Sequence, residues 1–253
     1  MMIHDDISPV HRRNAFQIIF VLAIALAVVM LPQKSFSQSP GGNPKSKIGI
    51  IGAGNIGGTV GALWVKAGYQ VMFSSRHPEE IKPLADRLGR LASVGAVREA
   101  LNFGDVIFVA VPYGAYPQIG KDYAQELNGK IVLDAGNAVL GRDGEIANEA
   151  RANGIGKTSV KYLPGARIVR AFNTMSFRRL ESNAHRSGAR MAIPIAGDDK
   201  EAVSMAEILV RDAGFDPVLV GNLESAQLFA QGGPLYGQDI TAQEMRERLK
   251  SLR

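Results

Sequence analysis

Cysteine is absent from the 253 residues of this chain, which removes disulfide frames, thiolate metal sites and cysteine nucleophiles in one step. Such a chain suits an oxidising compartment. Histidine is scarce: His4, His11, His77 and His185 stand at no metal-ligand spacing. No tyrosine is followed four positions later by lysine, so the acid/base pair of short-chain dehydrogenases is missing, and there is no G-x-S-x-G elbow. Aromatics make up only 7% of the chain and its formal charge is a modest +5 with acids spread throughout, which excludes the concentrated basic, aromatic-interleaved stripe of a nucleic-acid binder. Gly156-Lys157-Thr158 imitates the end of a P-loop, but Arg151 stands where the first glycine is required.

Only one long apolar run is present, Ile18 to Leu31, preceded by His11-Arg12-Arg13 and followed by Ser35-Phe36-Ser37. It is short for a membrane span, which needs about 20 residues, and the small residues after it resemble a signal-peptidase site. The first reading is therefore an export signal over residues 1–37, with a periplasmic or secreted product. An uncleaved anchor, the one route to a membrane, is the second reading, and a cytoplasmic protein starting at Met30 is the third. Arg12-Arg13 also suggests the twin-arginine route. Residues 38–46, rich in Ser, Pro, Gly and Asn, read as a linker.

What the rest of the chain does contain is alternation. Strands are expected at Lys47–Ile51, Gln70–Ser74, Leu91–Val94, Asp105–Val111, Lys130–Asp134 and Ala166–Phe172. Helices are expected between them, where Ile56, Val60, Leu63, Trp64 and Ala67 recur at helical spacing and at Pro78–Leu88, Val97–Leu101, Ala115–Leu127 and Glu145–Asn153. Such βαβ repetition implies an α/β fold of the Rossmann type, a doubly wound parallel sheet over residues 47–172. Beyond it the pattern thins to a strand at Met191–Ala196, a helix at Lys200–Ala213 and a strand at Asp216–Val220, a small C-terminal α/β cap over residues 173–253. Thr241 and Glu244 form a capping box that opens a last helix.

The most informative segment is Ile-Gly-Ile-Ile-Gly-Ala-Gly-Asn-Ile-Gly-Gly, residues 48 to 58, a glycine-rich turn between an apolar strand and a helix. Gly52 permits the tight turn, Gly54 lets the backbone approach a pyrophosphate, and Gly57 lets the helix pack against its strand. The helix N-terminus then presents free N–H groups and the positive end of its dipole to the anion. The end of the next strand selects the dinucleotide. An NAD site would place an acid there, and this chain has Ser74-Ser75-Arg76, hydroxyl donors and a guanidinium suited to the extra phosphate of NADP(H).

Three other strand ends are candidates for the nicotinamide side: Val111-Pro112, Asp134-Ala135-Gly136-Asn137, and Ala171-Phe172-Asn173-Thr174. Asn137 and Asn173 could offer amides there. Arg167, Arg170, Arg178, Arg179, Arg186 and Arg190 form a basic run in which Glu181 is the only acid; it reads as a solvated face, with an anionic-substrate site as the minority reading. Acid/base, nucleophilic and metal catalysis all lack an obvious carrier. Hydride transfer between bound partners needs none, because the protein chiefly sets distance and orientation.

Gly52 to Gly57, Ser75-Arg76, Val111-Pro112 and Ala171 to Thr174 together resemble the deazaflavin-dependent NADP oxidoreductase family, over roughly Lys47 to Gly237. Tyr162 to Ala166 and Val220 to Ala226 are also similar to the cytosolic domain of the six-transmembrane metalloreductases. The resemblance implies that Ala53, Gly54, Asn55 and Ile56 touch the pyrophosphate, Ser75 and Arg76 the adenosine phosphate, and Val111 with Ala115 the inner part of the cofactor. The chain departs from the family after the Ser-Arg pair, where Glu79 and Glu80 replace a basic residue and Lys82 is the nearest lysine.

The expectation is thus an NADP-dependent oxidoreductase passing hydride between NADPH and a small-molecule acceptor, a deazaflavin or flavin as second substrate. A ferric or flavin reductase and a non-catalytic NADP(H) sensor are the alternatives. A β-hydroxyacid or imine dehydrogenase would need a longer helical second half. Homo-oligomerisation is left open.

Overall fold

In a computed structural model the described residues are 45–252, so the expected leader and most of the linker lie outside them. Strands β1 (Ile48–Ile51), β2 (Val71–Ser74), β3 (Ala92–Gly95), β4 (Val106–Val109), β5 (Ile131–Asp134), β6 (Arg167–Arg170), β7 (Ala192–Gly197) and β8 (Asp216–Gly221) form one sheet in the order β3-β2-β1-β4-β5-β6-β7-β8. The first six are parallel. Residues of β1, β4 and β5 are buried throughout, and alternate side chains feed two cores. Ile48, Ile50, Phe108 and Leu133 enter one; Ile51, Ile107, Val109 and Val132 enter the other. That is why these strands read as nearly continuous apolar runs, with only the Asp134 that ends β5 carrying a charge.

Helices α1 (Asn55–Lys66), α2 (Pro78–Leu88), α3 (Val97–Phe103), α4 (Tyr116–Asp122), α5 (Ala124–Leu127), α6 (Glu145–Asn153), α7 (Ile155–Tyr162), α8 (Phe177–Asn183), α9 (Lys200–Asp212) and α10 (Ala242–Ser251) complete the layers. α1, α8 and α9 close the first core, α4, α6, α7 and α10 the second. At the centre of the first, the Trp64 ring meets Phe108 edge-on at 5.1 Å and Phe172 at 5.7 Å, and its Nε1 donates to Leu209 O at 2.9 Å. The indole is fully buried without an orphaned donor, as a core tryptophan requires.

Two expectations change, and the C-terminal segment gains a definite place. The stretch Ala115–Leu127 is broken: a 3₁₀ turn at Tyr113–Ala115 leads into α4, and Tyr123, at φ −131° and so off the helical conformation, separates α4 from α5. A helix not expected, α7, contains Gly156-Lys157-Thr158, so the P-loop imitation is mid-helical. And the C-terminal α/β segment joins the Rossmann sheet edge to edge. β7 runs antiparallel to β6, because the short connection through α8 returns the chain to the edge it left. Only Val169↔Gly197 and Arg170↔Ala196 are paired. The remainder of β7, with β8 parallel to it, continues past the end of β6 and overhangs the C-terminal edge of the Rossmann strands. The expected capping box holds: Thr241 Oγ1 accepts from Glu244 N, and Glu244 Oε2 accepts from Thr241 N at 2.7 Å.

Where α1 crosses β1 the two backbones all but touch. A Cβ on Gly57 would stand 2.1 Å from the carbonyl oxygen of Gly52, and one on Gly61 2.4 Å from the Phe73 ring. Gly57→Ala is therefore expected to destabilise the fold by about 1–3 kcal/mol, read as a lower midpoint in urea, since backbone cannot yield as a side chain does.

Candidate functional site

The strand order reverses between β1 and β4, and the crevice of a doubly wound sheet opens at the C-terminal ends of those two strands. Gly52 sits there with φ +93°, and a Cβ on it would meet Ala110 O at 2.6 Å. The N–H groups of Gly52 and Ala53 both donate to Ser74 O, at 3.1 and 3.0 Å. Ser74 is itself buried and donates through Oγ to Ile50 O at 2.6 Å, so the turn is tied to the end of β2 and β2 in turn to β1. Ala53, 7% exposed, thus contributes shape and no free donor. The amides of Gly54, Asn55 and Ile56 come next, at the start of α1, and have no hydrogen-bond partner among the described residues. Around the position of a Gly54 Cβ there is nothing within 4 Å. The turn therefore leaves open space faced by unspent N–H groups, which fits a pyrophosphate.

Ser75 and Arg76 follow β2, beside this turn. Ser75 Oγ accepts from His77 N at 3.1 Å and keeps its own hydrogen to donate. Arg76 is exposed and makes no hydrogen bond or ion pair with the described residues. Glu79 and Glu80 occupy the first turn of α2, where acids favour the helix dipole, and Lys82 is taken by Asp86 at 2.7 Å. Oxygen and nitrogen atoms of His77, Glu79 and Glu80 gather within 4.8 Å of one another on the exposed surface.

On the other side of the crevice the loops after β4, β5 and β6 are tied together. Val111 and Ala115 are half-buried and Pro112 is exposed. Asp143, 7% exposed, accepts from Gly114 N (3.1 Å), Val139 N (2.8 Å) and Arg142 Nε and Nη2 (2.9 and 2.7 Å), joining the β4 and β5 loops. Burial pushes its pKa up, but the Arg142 and backbone hydrogen bonds outweigh this and hold it below the usual carboxylate value. Asn137 Nδ2 donates to Asn173 O at 2.7 Å, and Asn173 Nδ2 donates to Asn137 Oδ1 and to Phe229 O. The two expected amides therefore bind each other, and the β5 and β6 loops with them. Phe172, just before, is fully buried at φ +61°, a strained conformation for an aromatic residue that turns the chain into this edge.

The arginine run does not form a patch. Arg170 is completely buried beside Asp134, Arg167 pairs with Glu201 at 2.6 Å, Arg186 with Asp239 at 2.7 Å, and Arg178 stacks over Phe177. Adjacent positions on a strand or helix point to different faces, and linear density of charge does not survive folding as surface density. Sequence reasoning also missed a cavity of about 660 Å³. Ala138, Val139, Leu140, Ile155 and Leu228 are among its apolar walls, and Arg151, exposed and unpaired among the described residues, lies at its margin. It begins one residue beyond Asn137. The signal available was the apolar Ala138-Val139-Leu140 directly after a strand end, where turn residues are usual.

Comparison with known proteins agrees with this geometry. Residues 47–138 match the family model described as NADP oxidoreductase, coenzyme F420-dependent. Metalloreductase STEAP3 of Rattus norvegicus is 32% identical over 181 residues, 72% of this chain and 35% of the relative. The chain thus spans about a third of the length of the metalloreductases it matches. Hypothetical protein SMa0349 of Sinorhizobium meliloti superposes with a TM-score of 0.66 at 26% identity, covering 78% of this chain and 96% of that one. A putative F420-dependent NADP-reductase of Arthrobacter sp. FB24 shares the fold, with a TM-score of 0.61 at 20% identity and coverage of 72% and 87%.

Two outcomes test the site. Gly54→Ala, at a position with ordinary φ and open space, should leave the melting temperature within a degree or two while weakening NADPH about tenfold in a calorimetric titration. Asp143→Asn should destabilise the protein by about 1–3 kcal/mol at neutral pH. A lowered folded-state pKa contributes stability above the unfolded carboxylate value and loses it as pH falls through the folded one. The stability difference between wild type and the Asp143→Asn variant should therefore shrink below about pH 4 in urea titrations.

Proposed function

With residues 47–138 matching the NADP oxidoreductase family whose coenzyme is F420, we propose that this protein binds NADPH across the β1/β4 crevice and delivers hydride to a flat deazaflavin or flavin-type acceptor seated in the cavity beside Asn137. The observation that carries the nucleotide half is the open space over Gly54, faced by unspent amides and flanked by the unpaired Arg76. Arg76 and Ser75 hold the adenosine phosphate, and the α1 N-terminus holds the pyrophosphate. With the adenosine half over β2, the other half of the dinucleotide extends towards β4 and β5.

NADPH bound there supplies a hydride, two electrons with one proton, and the acceptor takes its second proton from solvent. The chain's own contribution is positional. Asp134 and Asp143, the carboxylates of this edge, are saturated by hydrogen bonds within the chain. Tyr113 and Tyr116 are buried, and burial followed by the nearby Asp134 charge keeps both phenols protonated. None is placed to exchange protons with a ligand, so the residues orient and exclude water. The cavity is of the size that small-molecule sites have, and its apolar walls with one cation at the margin suit a planar aromatic acceptor bearing negative charge.

A second reading, reduction of a ferric chelate, is favoured by the similarity to metalloreductases. A ferric centre takes one electron at a time, so this reading also requires a flavin between nicotinamide and iron. Steady-state NADPH oxidation against flavin, deazaflavin, quinone and ferric chelate separates these readings. We expect turnover with flavin or deazaflavin alone, and Arg151→Glu to raise the acceptor KM about tenfold while leaving NADPH affinity unchanged. NADPH binding without turnover of any acceptor would support the sensor instead.

A further inference from the structure

The last residues of β5 and β6, Asp134 and Arg170, are register partners on adjacent parallel strands, and both are completely buried. Their heads approach to 2.8 Å. Between them they hold one backbone unit from both sides. Asp134 Oδ1 accepts from Gly136 N at 2.8 Å, and Arg170 Nη2 donates to Gly136 O at 2.6 Å. Two further hydroxyls fix the carboxylate: Tyr116 OH donates to Oδ1 at 2.5 Å and Ser159 Oγ to Oδ2 at 2.6 Å. The fit around Gly136 is close, since a Cβ there would meet Tyr116 OH at 2.3 Å.

Stability does not account for this arrangement. A buried ion pair repays its desolvation only when every donor is matched, and apolar residues of similar volume commonly serve as well or better. Here the guanidinium Nε and Nη1 have no well-aligned acceptor; Nη1 is close to the Asp134 carboxylate as a charge, but its N–H is not aimed at it. The remaining residues of β5, Ile131, Val132 and Leu133, show that apolar side chains fit this layer. What the pair does uniquely is grip the peptide units of Gly136. That glycine lies between the end of β5 and Asn137, at the junction of the crevice and the cavity that starts at Ala138.

We propose that Asp134 and Arg170 are positioning residues: by clamping Gly136 they set the wall against which the nicotinamide half of NADPH rests, with no contact to the nucleotide themselves. The inference rests on the proposed function and adds to it a specific dependence of the nicotinamide end, and not the adenosine end, on a buried ion pair.

The test compares NADPH with 2′-phospho-ADP-ribose, which lacks the nicotinamide ring, on wild type, on Tyr116→Phe, and on the triple variant Asp134→Val, Arg170→Met, Tyr116→Phe, which removes both charges and the dependent hydroxyl. Affinities are read by calorimetry, and the emission of saturating bound NADPH reports the ring's surroundings. The triple variant should lose about tenfold in NADPH affinity with the fragment unchanged, and the emission should move towards that of free NADPH. Tyr116→Phe should move both readouts in the same direction by a smaller factor, and it decides the matter if the triple variant does not fold. Parallel weakening of both ligands, or unchanged emission in a folded variant, would show a merely structural pair and overturn the proposal. Wild type that binds neither ligand would overturn the proposed function and this inference together; wild type that binds both, with variants that do not discriminate, overturns this inference alone.

Discussion

Everything at this site depends on how closely one helix can lie against one strand. The backbone of α1 at Gly57 comes so near the Gly52 carbonyl that no side chain is admissible between them. That approach brings the first turn of the helix down to the end of β1, where Ser74 consumes the amides of Gly52 and Ala53 and leaves those that follow. A free helix N-terminus beside an open glycine is an anion site by construction. A dinucleotide held at this point would reach over β2 towards Ser75 and Arg76 on one side and over β4 and β5 towards the opposite loops on the other.

The two directions are built differently. The side proposed for the adenosine is a short turn that carries the half-buried Ser75 and the exposed Arg76, with no acid at the strand end. The opposite side is held by three interlocking sets of polar contacts: Asp143 between the β4 and β5 loops, Asn137 with Asn173 between the β5 and β6 loops, and Asp134 with Arg170 beneath them. Preorganisation of this kind is what hydride transfer asks of a protein, because the barrier is sensitive to the distance and angle of the reacting atoms.

The sequence made the strands legible because strands covered on both faces are nearly continuous apolar runs, and β1, β4 and β5 are buried along their whole length with Asp134 as the one charge among them. The glycine turn was legible for the same kind of reason, since only glycine tolerates the contacts at Gly52 and Gly57. α7 was not, because Gly156-Lys157-Thr158 carries loop-like residues and its inward face is completed by small ones, Gly156 and Ser159, rather than by a repeating apolar pattern. The Asp134–Arg170 pair was out of reach, as two charges far apart in sequence become neighbours only once β5 and β6 are known to be adjacent and in register. Arg167 to Arg190 read as a solvated face, and the fold leaves Arg178 and Arg179 exposed while it buries Arg170 against Asp134 and pairs Arg167 and Arg186 with separate acids.

The central claim is that a dinucleotide bearing a 2′-phosphate lies over the α1 N-terminus with that phosphate against Ser75 and Arg76. Equilibrium titration of NADPH and NADH against the wild type and Arg76→Asp tests it most directly. The account predicts a wild-type preference for NADPH that is abolished or reversed by the substitution, with NADH affinity maintained. A preference that Arg76→Asp leaves untouched, or a folded protein that binds neither nucleotide, would contradict it.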